Sequence, residues 1–364
     1  MRLAPIILLT AAAFAIAGCD MGRGGSASPP LNAPYDDSQA WPEQTQAAEP
    51  SDLPSGDDML GAENGVIFLA YDVLAYPGQD LSLVAQAINA RTGLGLSGVT
   101  VTFYQGGREL GSDLTDRNGV ASLPVRLAKA GDYTFIAKIT DARANIADSV
   151  LGVTPAKLLV MARDVDAKFL VVDLDNTLVR NGLDDVLAGR WALPMDGSSG
   201  VVNRLADVKD CTVVYATAQA EHMTARLKDW LDEHDFPPGP VLAIDMDNPG
   251  SGRTSGVGDL RGAYPNVLII GVPGRIAGAL SLLDNDIATY LLPTYQANPD
   301  EMRRLAQEIQ ALPDVPQLSV VSSWPEIEAA VVHELRHSPR IFAENLHQLA
   351  EEIERRQKRD SRRQ

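Results

Sequence analysis

Cysteine is nearly missing from this chain. Cys19 and Cys211 are the only two in 364 residues, and they stand far apart in unlike surroundings. A disulfide framework and a cysteine metal centre are both excluded. Basic charge is also short: 31 Lys and Arg stand against 48 Asp and Glu, a formal net charge of -17. A long nucleic-acid surface needs clustered Lys and Arg, so nucleic acid is not expected as a partner. Aromatic residues make up 5%, and no internal repeat is visible. After the first eighteen residues there is no apolar run long enough to span a bilayer. The composition, 45% apolar and 22% charged, is that of a soluble protein large enough for two domains and a tail.

The one apolar run is at the start. Arg2 precedes an apolar stretch to Ile16, then Ala17, Gly18 and Cys19. This short core ending in small residues reads as an export signal covering residues 1–18. The junction resembles the bacterial lipobox, which implies cleavage before Cys19 and acylation of its thiol. Cys19 would then hold the chain to a bacterial membrane, on the periplasmic or exterior side, each buried CH2 adding roughly 0.8 kcal/mol. Residues 19–60 are rich in Pro, Ser, Gly, Ala and acid and read as a tether.

Residues 61–158 change to short β-like runs: 66–73, 81–88, 99–104, 120–125 and 133–139. Turn signals separate them, at Pro77-Gly78, Gly106-Gly107, Asn118-Gly119 and Gly131-Asp132. The regular spacing predicts an antiparallel sandwich. The stretch from Leu96 to Ile139, with its "TDRNG" hairpin, resembles bacterial immunoglobulin-like modules. Its residues carry no evident chemistry, and it reads as a spacer or docking module.

Residues 165–338 alternate apolar strands (169–174, 212–216, 241–244, 267–271, 318–321) with helical patterns (223–234, 276–283, 324–335). The alternation predicts an α/β, Rossmann-like domain with a parallel sheet. Residues 339–364 form a further amphipathic helix with a basic end. Arg355, Arg356, Lys358, Arg359, Arg362 and Arg363 stand there against Asp360, read as a solvated helix end, with contact to anionic headgroups as the alternative.

The segment that carries chemistry is "KFLVVDLDNTLV", 168–179. An apolar strand ends in Asp173, and Asp175 follows two residues later. In open parallel sheets, ligands bind beyond the carboxyl ends of the strands. Paired carboxylates there suit phosphoryl transfer. One attacks phosphorus, one protonates the leaving oxygen, and Mg2+ offsets the charge. The segment matches the first motif of the haloacid dehalogenase superfamily, DxDxT. That resemblance implies Asp173 as nucleophile and metal ligand. It implies Asp175 as general acid/base with its carbonyl on the metal, and Thr177 as a brace for the turn. "CTVVYATAQ" ends a second strand in Thr217, where the family has a phosphate-binding Ser or Thr. The stretch from there to "WLDEHDFPPGPVLAID" resembles the lipin-like and actin-patch phosphatidate phosphatases, over about 168–292. It departs from them at Gln219, often Arg.

Two further motifs of that family are degraded. The usual Lys of the third has no counterpart, since Lys228 belongs to a helix. Arg253 is the substitute for phosphate binding, with Arg261 as the alternative. The acidic pair of the fourth motif is missing too, and Val272 and Ile276 stand after the strand "NVLIIG". Asp245, ending the third strand, is the candidate second carboxylate for Mg2+. Asp284 and Asp286 come a helix later, at the wrong end of the sheet. No insertion is long enough for a large cap, so the site is expected to be open to a phospholipid or a phosphorylated macromolecule. Two functions follow. One is a membrane-anchored Mg2+-dependent phosphomonoesterase of phosphatidate-phosphatase type. The other is a haloacid dehalogenase-type lipoprotein with a binding or structural role and no turnover.

Overall fold

A computed structural model describes residues 64–143, 146–180, 182–219, 224–244, 246, 257–264 and 269–361. The export signal with Cys19, and the tether of residues 19–60, lie outside these residues. No helix among them is long and apolar enough to cross a membrane.

The first unit is a sandwich of two sheets. One holds β1 (Val66–Ala70), β3 (Asp80–Asn89) and β6 (Val120–Arg126) in the order β1-β3-β6, all antiparallel. The other holds β2 (Val73–Ala75), β4 (Val99–Gln105), β5 (Arg108–Leu114), β7 (Gly131–Ala142) and β8 (Ala156–Ala162) in the order β2-β8-β7-β4-β5. The runs predicted from sequence are all strands, while β2, β5 and β8 are additions. β8 extends the unit to Ala162, past residue 158. A short helix, α1 (Ala147–Val150), links β7 to β8. The pleat explains the core: in β3 the residues Leu81, Leu83, Ala85 and Ala87 alternate inward and are buried. They meet Val99, Val101, Phe103, Phe135, Leu158 and Val160 of the opposite sheet. Gly119 has φ +76, and a Cβ there would stand 2.1 Å from the Ala87 carbonyl oxygen, so the Asn118-Gly119 turn requires glycine.

The second unit is a six-stranded, wholly parallel sheet. Its strands are β9 (Lys168–Asp173), β10 (Cys211–Thr217), β11 (Val241–Ala243), β12 (Ile269–Val272), β13 (Ala288–Leu291) and β14 (Leu318–Val320). Their order is β11-β10-β9-β12-β13-β14. The first strand in sequence is therefore central, and the order reverses between β9 and β12. A ligand crevice belongs at that reversal. Five of the six β9 residues are buried, as a strand covered on both faces must be.

Leu170 and Val172 face one layer. It is built from α3 (Leu183–Leu187), α4 (Ser198–Lys209), α5 (Thr224–Glu233) and α9 (Trp324–His333). Phe169 and Val171 face the other, with Leu260 of α6 (Val257–Ala263) and Leu282 of α7 (Ile276–Asp284). Beyond β13 and β14, α8 (Pro299–Gln310) packs against α10 (Pro339–Ser361) through Met302, Ala306, Ala343, Leu346 and Ala350. The basic end of α10 is paired along its own helix: Arg355 with Glu351, Arg356 with Glu352, Lys358 with Glu354.

The two units share a core. In β2, Val73 and Ala75 point into the sandwich, and Leu74 between them points out. In β8, Val160 and Ala162 point in, and Met161 points out. Leu74 and Met161 join Phe169, Val171, Val214 and Tyr264 in one cluster. The sandwich thus covers part of a sheet face that the seven-residue α6 would leave open.

Polar contacts fix the same boundary. Where the chain passes from β1 to β2, and so from one sheet to the other, Asp72 is buried. Its carboxylate accepts from Leu159 N (2.8 Å), from Val241 N at the edge of the parallel sheet (3.0 Å) and from Lys228 Nζ (2.7 Å). Lys228 also donates to the Ala70 carbonyl at 3.0 Å. Tyr264 donates to the Ala75 carbonyl at 3.2 Å, and Arg163, just past β8, pairs with Asp132 of β7 and donates to Thr212 Oγ1 of β10 at 2.5 Å.

Candidate functional site

Asp173 ends β9 and sits 5% exposed at the head of α2 (Leu174–Thr177). Its backbone is extended and its side chain caps the short helix, accepting from Asp175 N at 3.1 Å. Thr177 donates its hydroxyl to the Asp173 carbonyl. Trp324, at the start of α9, donates to the Thr177 carbonyl at 2.9 Å. The brace predicted for Thr177 is thus present, and a buried indole reinforces it.

Neighbouring strands bring the second motif to the first. Asp173 is level with Ala216 of β10, so Thr217 reaches past the strand end. Thr217 Oγ1 donates to Asp175 Oδ1 at 2.7 Å, and Ala218 N donates to Asp175 Oδ2 at 2.7 Å. Gln219 N donates to Thr217 Oγ1 at 3.1 Å. The hydroxyl expected to meet a phosphate is directed at Asp175. On the other side, Gly274 N donates to Asp173 Oδ2 at 3.1 Å. Gly274 lies in the turn from β12 to α7, so this donor crosses the crevice at the reversal of strand order. Both oxygens of both carboxylates accept hydrogen bonds from the protein itself.

The other expected site residues do not join them. Val272 is fully buried with Leu170, Val202 and Ile327, so its side chain belongs to the core. Arg261 pairs with Asp286 at 3.5 Å, in the turn that enters β13. That is the amino end of a parallel strand, opposite Asp173, which removes Arg261 as a phosphate ligand and agrees with the expected placement of Asp286. Lys228 belongs to the boundary with the sandwich. Arg253 and Asp245 lie outside the described residues. Among the described residues there is no group of three or more His, Cys, Asp or Glu able to hold a metal ion. Of the expected Mg2+ donors, the Asp173 carboxylate and the Asp175 carbonyl are among the described residues; a Mg2+ site takes one or two carboxylates with several waters or phosphate oxygens.

Sequence reasoning missed Gly274 and Ala218. Both act through main-chain N–H groups, which every residue but proline has. The one signal was the Pro273-Gly274 turn after an apolar strand, where a chain can bring a bare N–H close to a side chain.

No known family profile matches the chain, and no curated protein matches it. Several solved structures are similar to part of the chain. The D00-D0 domain of intimin is 19% identical, covering 27% of this chain and 46% of its own, with a TM-score of 0.20. A titin M4 structure is 13% identical over 27% of this chain and 93% of its own, TM-score 0.19. The PKD domain of the human receptor SorCS2 is 19% identical over 38% of this chain and 96% of its own, TM-score 0.18. The chain spans under half of the intimin fragment, and its sandwich stands on its own strand order.

Proposed function

We propose that this chain is a lipid-anchored cell-envelope protein whose α/β unit is a haloacid dehalogenase-type module without turnover. It serves as a binding or structural domain, braced by an immunoglobulin-like sandwich. The supporting observation is that all four oxygens of the acidic pair accept hydrogen bonds from the chain. Asp173 is held by two main-chain N–H groups, and Asp175 by Thr217 and Ala218. A carboxylate receiving two N–H bonds is stabilised as an anion, which lowers its reactivity toward phosphorus.

The second reading is a Mg2+-dependent phosphomonoesterase acting on a phospholipid or phosphorylated partner through an aspartyl phosphate. The grouping of Asp173, Asp175 and Thr217 favours it, since these three would be nucleophile, acid/base and phosphate ligand. Turnover of a phosphomonoester by the purified chain in millimolar Mg2+, beside Asp173→Asn, separates the two. Equal background rates support the binding role. A rate that Asp173→Asn abolishes establishes the enzyme.

A further inference from the structure

We infer that the excursion between α2 and α4 is a membrane-contact element, with Trp191 entering the headgroup layer of a bilayer. The inference rests on the membrane anchoring proposed above. Trp191 is 82% exposed, the most exposed of the large apolar side chains described, and Leu193 is 39% exposed. Large apolar groups left in water beside each other mark contact sites.

The segment is held rigidly. Ala192, between the two, is buried, and its carbonyl accepts from Trp230 Nε1 at 2.9 Å and lies 3.0 Å from His234 Nε2. Arg180 N donates to the Leu193 carbonyl at 3.0 Å, and Met195 N to the Leu178 carbonyl at 2.7 Å. Ala192 is thus buried and held through its carbonyl, while Trp191 and Leu193 on either side of it are exposed.

The chemistry of the patch fits a headgroup layer. An indole has an apolar body and one N–H donor, and it partitions to the boundary between hydrocarbon and water. Two guanidinium groups belong to the same excursion. Arg180 pairs with Asp196, and Arg190 with Asp185 at 2.6 Å. All four are at least partly exposed, so the arginines can exchange these partners for lipid phosphates.

The location fits as well. Gly189 lies against Arg226 of α5, 3.6 Å from its guanidinium carbon to the glycine's Cβ position. The adjacent Ala225 packs with Ile67 and Leu69 of β1. The patch therefore lies close to the flank of α5 that carries β1, the first strand after the tether. Residues 19–60 lead into β1, so an anchor at Cys19 would attach to the body on this side.

The test uses the chain from residue 19 on with Cys19→Ser, so that no acyl chain contributes, and phosphatidylcholine vesicles. Trp191→Ser is expected to lower vesicle partitioning about tenfold. Val208→Ser, removing another exposed apolar side chain (61%) near the end of α4, is expected to leave it unchanged. Circular dichroism verifies that both variants are folded. Unchanged partitioning of Trp191→Ser overturns the inference, and so does an equal loss with Val208→Ser. Self-association without lipid that Trp191→Ser abolishes would also overturn it, assigning the patch to a second copy. Mass spectrometry of the cellular protein reads acylation of Cys19 separately: an unmodified Cys19 removes the anchor but leaves the vesicle result in place.

Discussion

At Asp173 and Asp72 the same chemistry has two uses. Each is a buried carboxylate whose oxygens are met by main-chain N–H groups, but Asp72 also receives an ammonium, from Lys228. Removing one partner of such a pair leaves the other charge stranded, which costs about 3–5 kcal/mol. Asp72→Ala is expected to lose that much in a denaturant titration, with Lys228→Met partly rescuing it in the double variant. For the site itself, stability separates the two functional readings. Catalytic carboxylates are strained, and their amide variants often gain stability. Asp173→Asn should instead lose about 1–3 kcal/mol, because its NH2 would face an N–H donor. A gain in the same titration contradicts the structural role.

At the scale of elements, helix pairs on the sheet are tied by exposed charges. Arg204 of α4 donates twice to Glu328 of α9, at 2.6 and 2.7 Å. These hydrogen bonds hold the Glu328 carboxyl below the usual carboxylate range. A lowered pKa stabilises the fold above the unfolded value, and the effect is lost as pH falls through the folded one. Arg204→Met should therefore lower the melting midpoint slightly at neutral pH and not at all in strong acid, compared side by side with wild type.

Much of this level was legible in the sequence. Apolar strands such as "FLVVD" and "VVYA" announce themselves by composition, and the acidic turn after β9 by its spacing. β13 and α8 escaped, since "ATYL" is short and mixed and gains its identity by pairing between β12 and β14. β2 escaped likewise, as three residues have no period. The placement of Val272 in the core was hidden as well, for a motif fixes the position in the chain and packing fixes the face.

Among the described residues, Leu74, Met161 and Asp72 tie the sandwich to the α/β unit. Heating should give one calorimetric transition, with van't Hoff and calorimetric enthalpies equal. Two resolved transitions would show that the sandwich and the α/β unit fold independently. The shared boundary was not legible in the sequence. Outward-facing Leu74 and Met161 look like ordinary alternation within a strand until a second unit covers them.

The central proposal is that the acidic pair, whose four oxygens accept hydrogen bonds from the chain, works without a bound metal. The melting midpoint of the wild-type chain as a function of Mg2+ tests it most directly, because a ligand that binds only the native state raises it in proportion to occupancy. The account expects no shift up to millimolar Mg2+ beyond that of Asp173→Asn. A rise of several degrees in wild type, absent from Asp173→Asn, would contradict it.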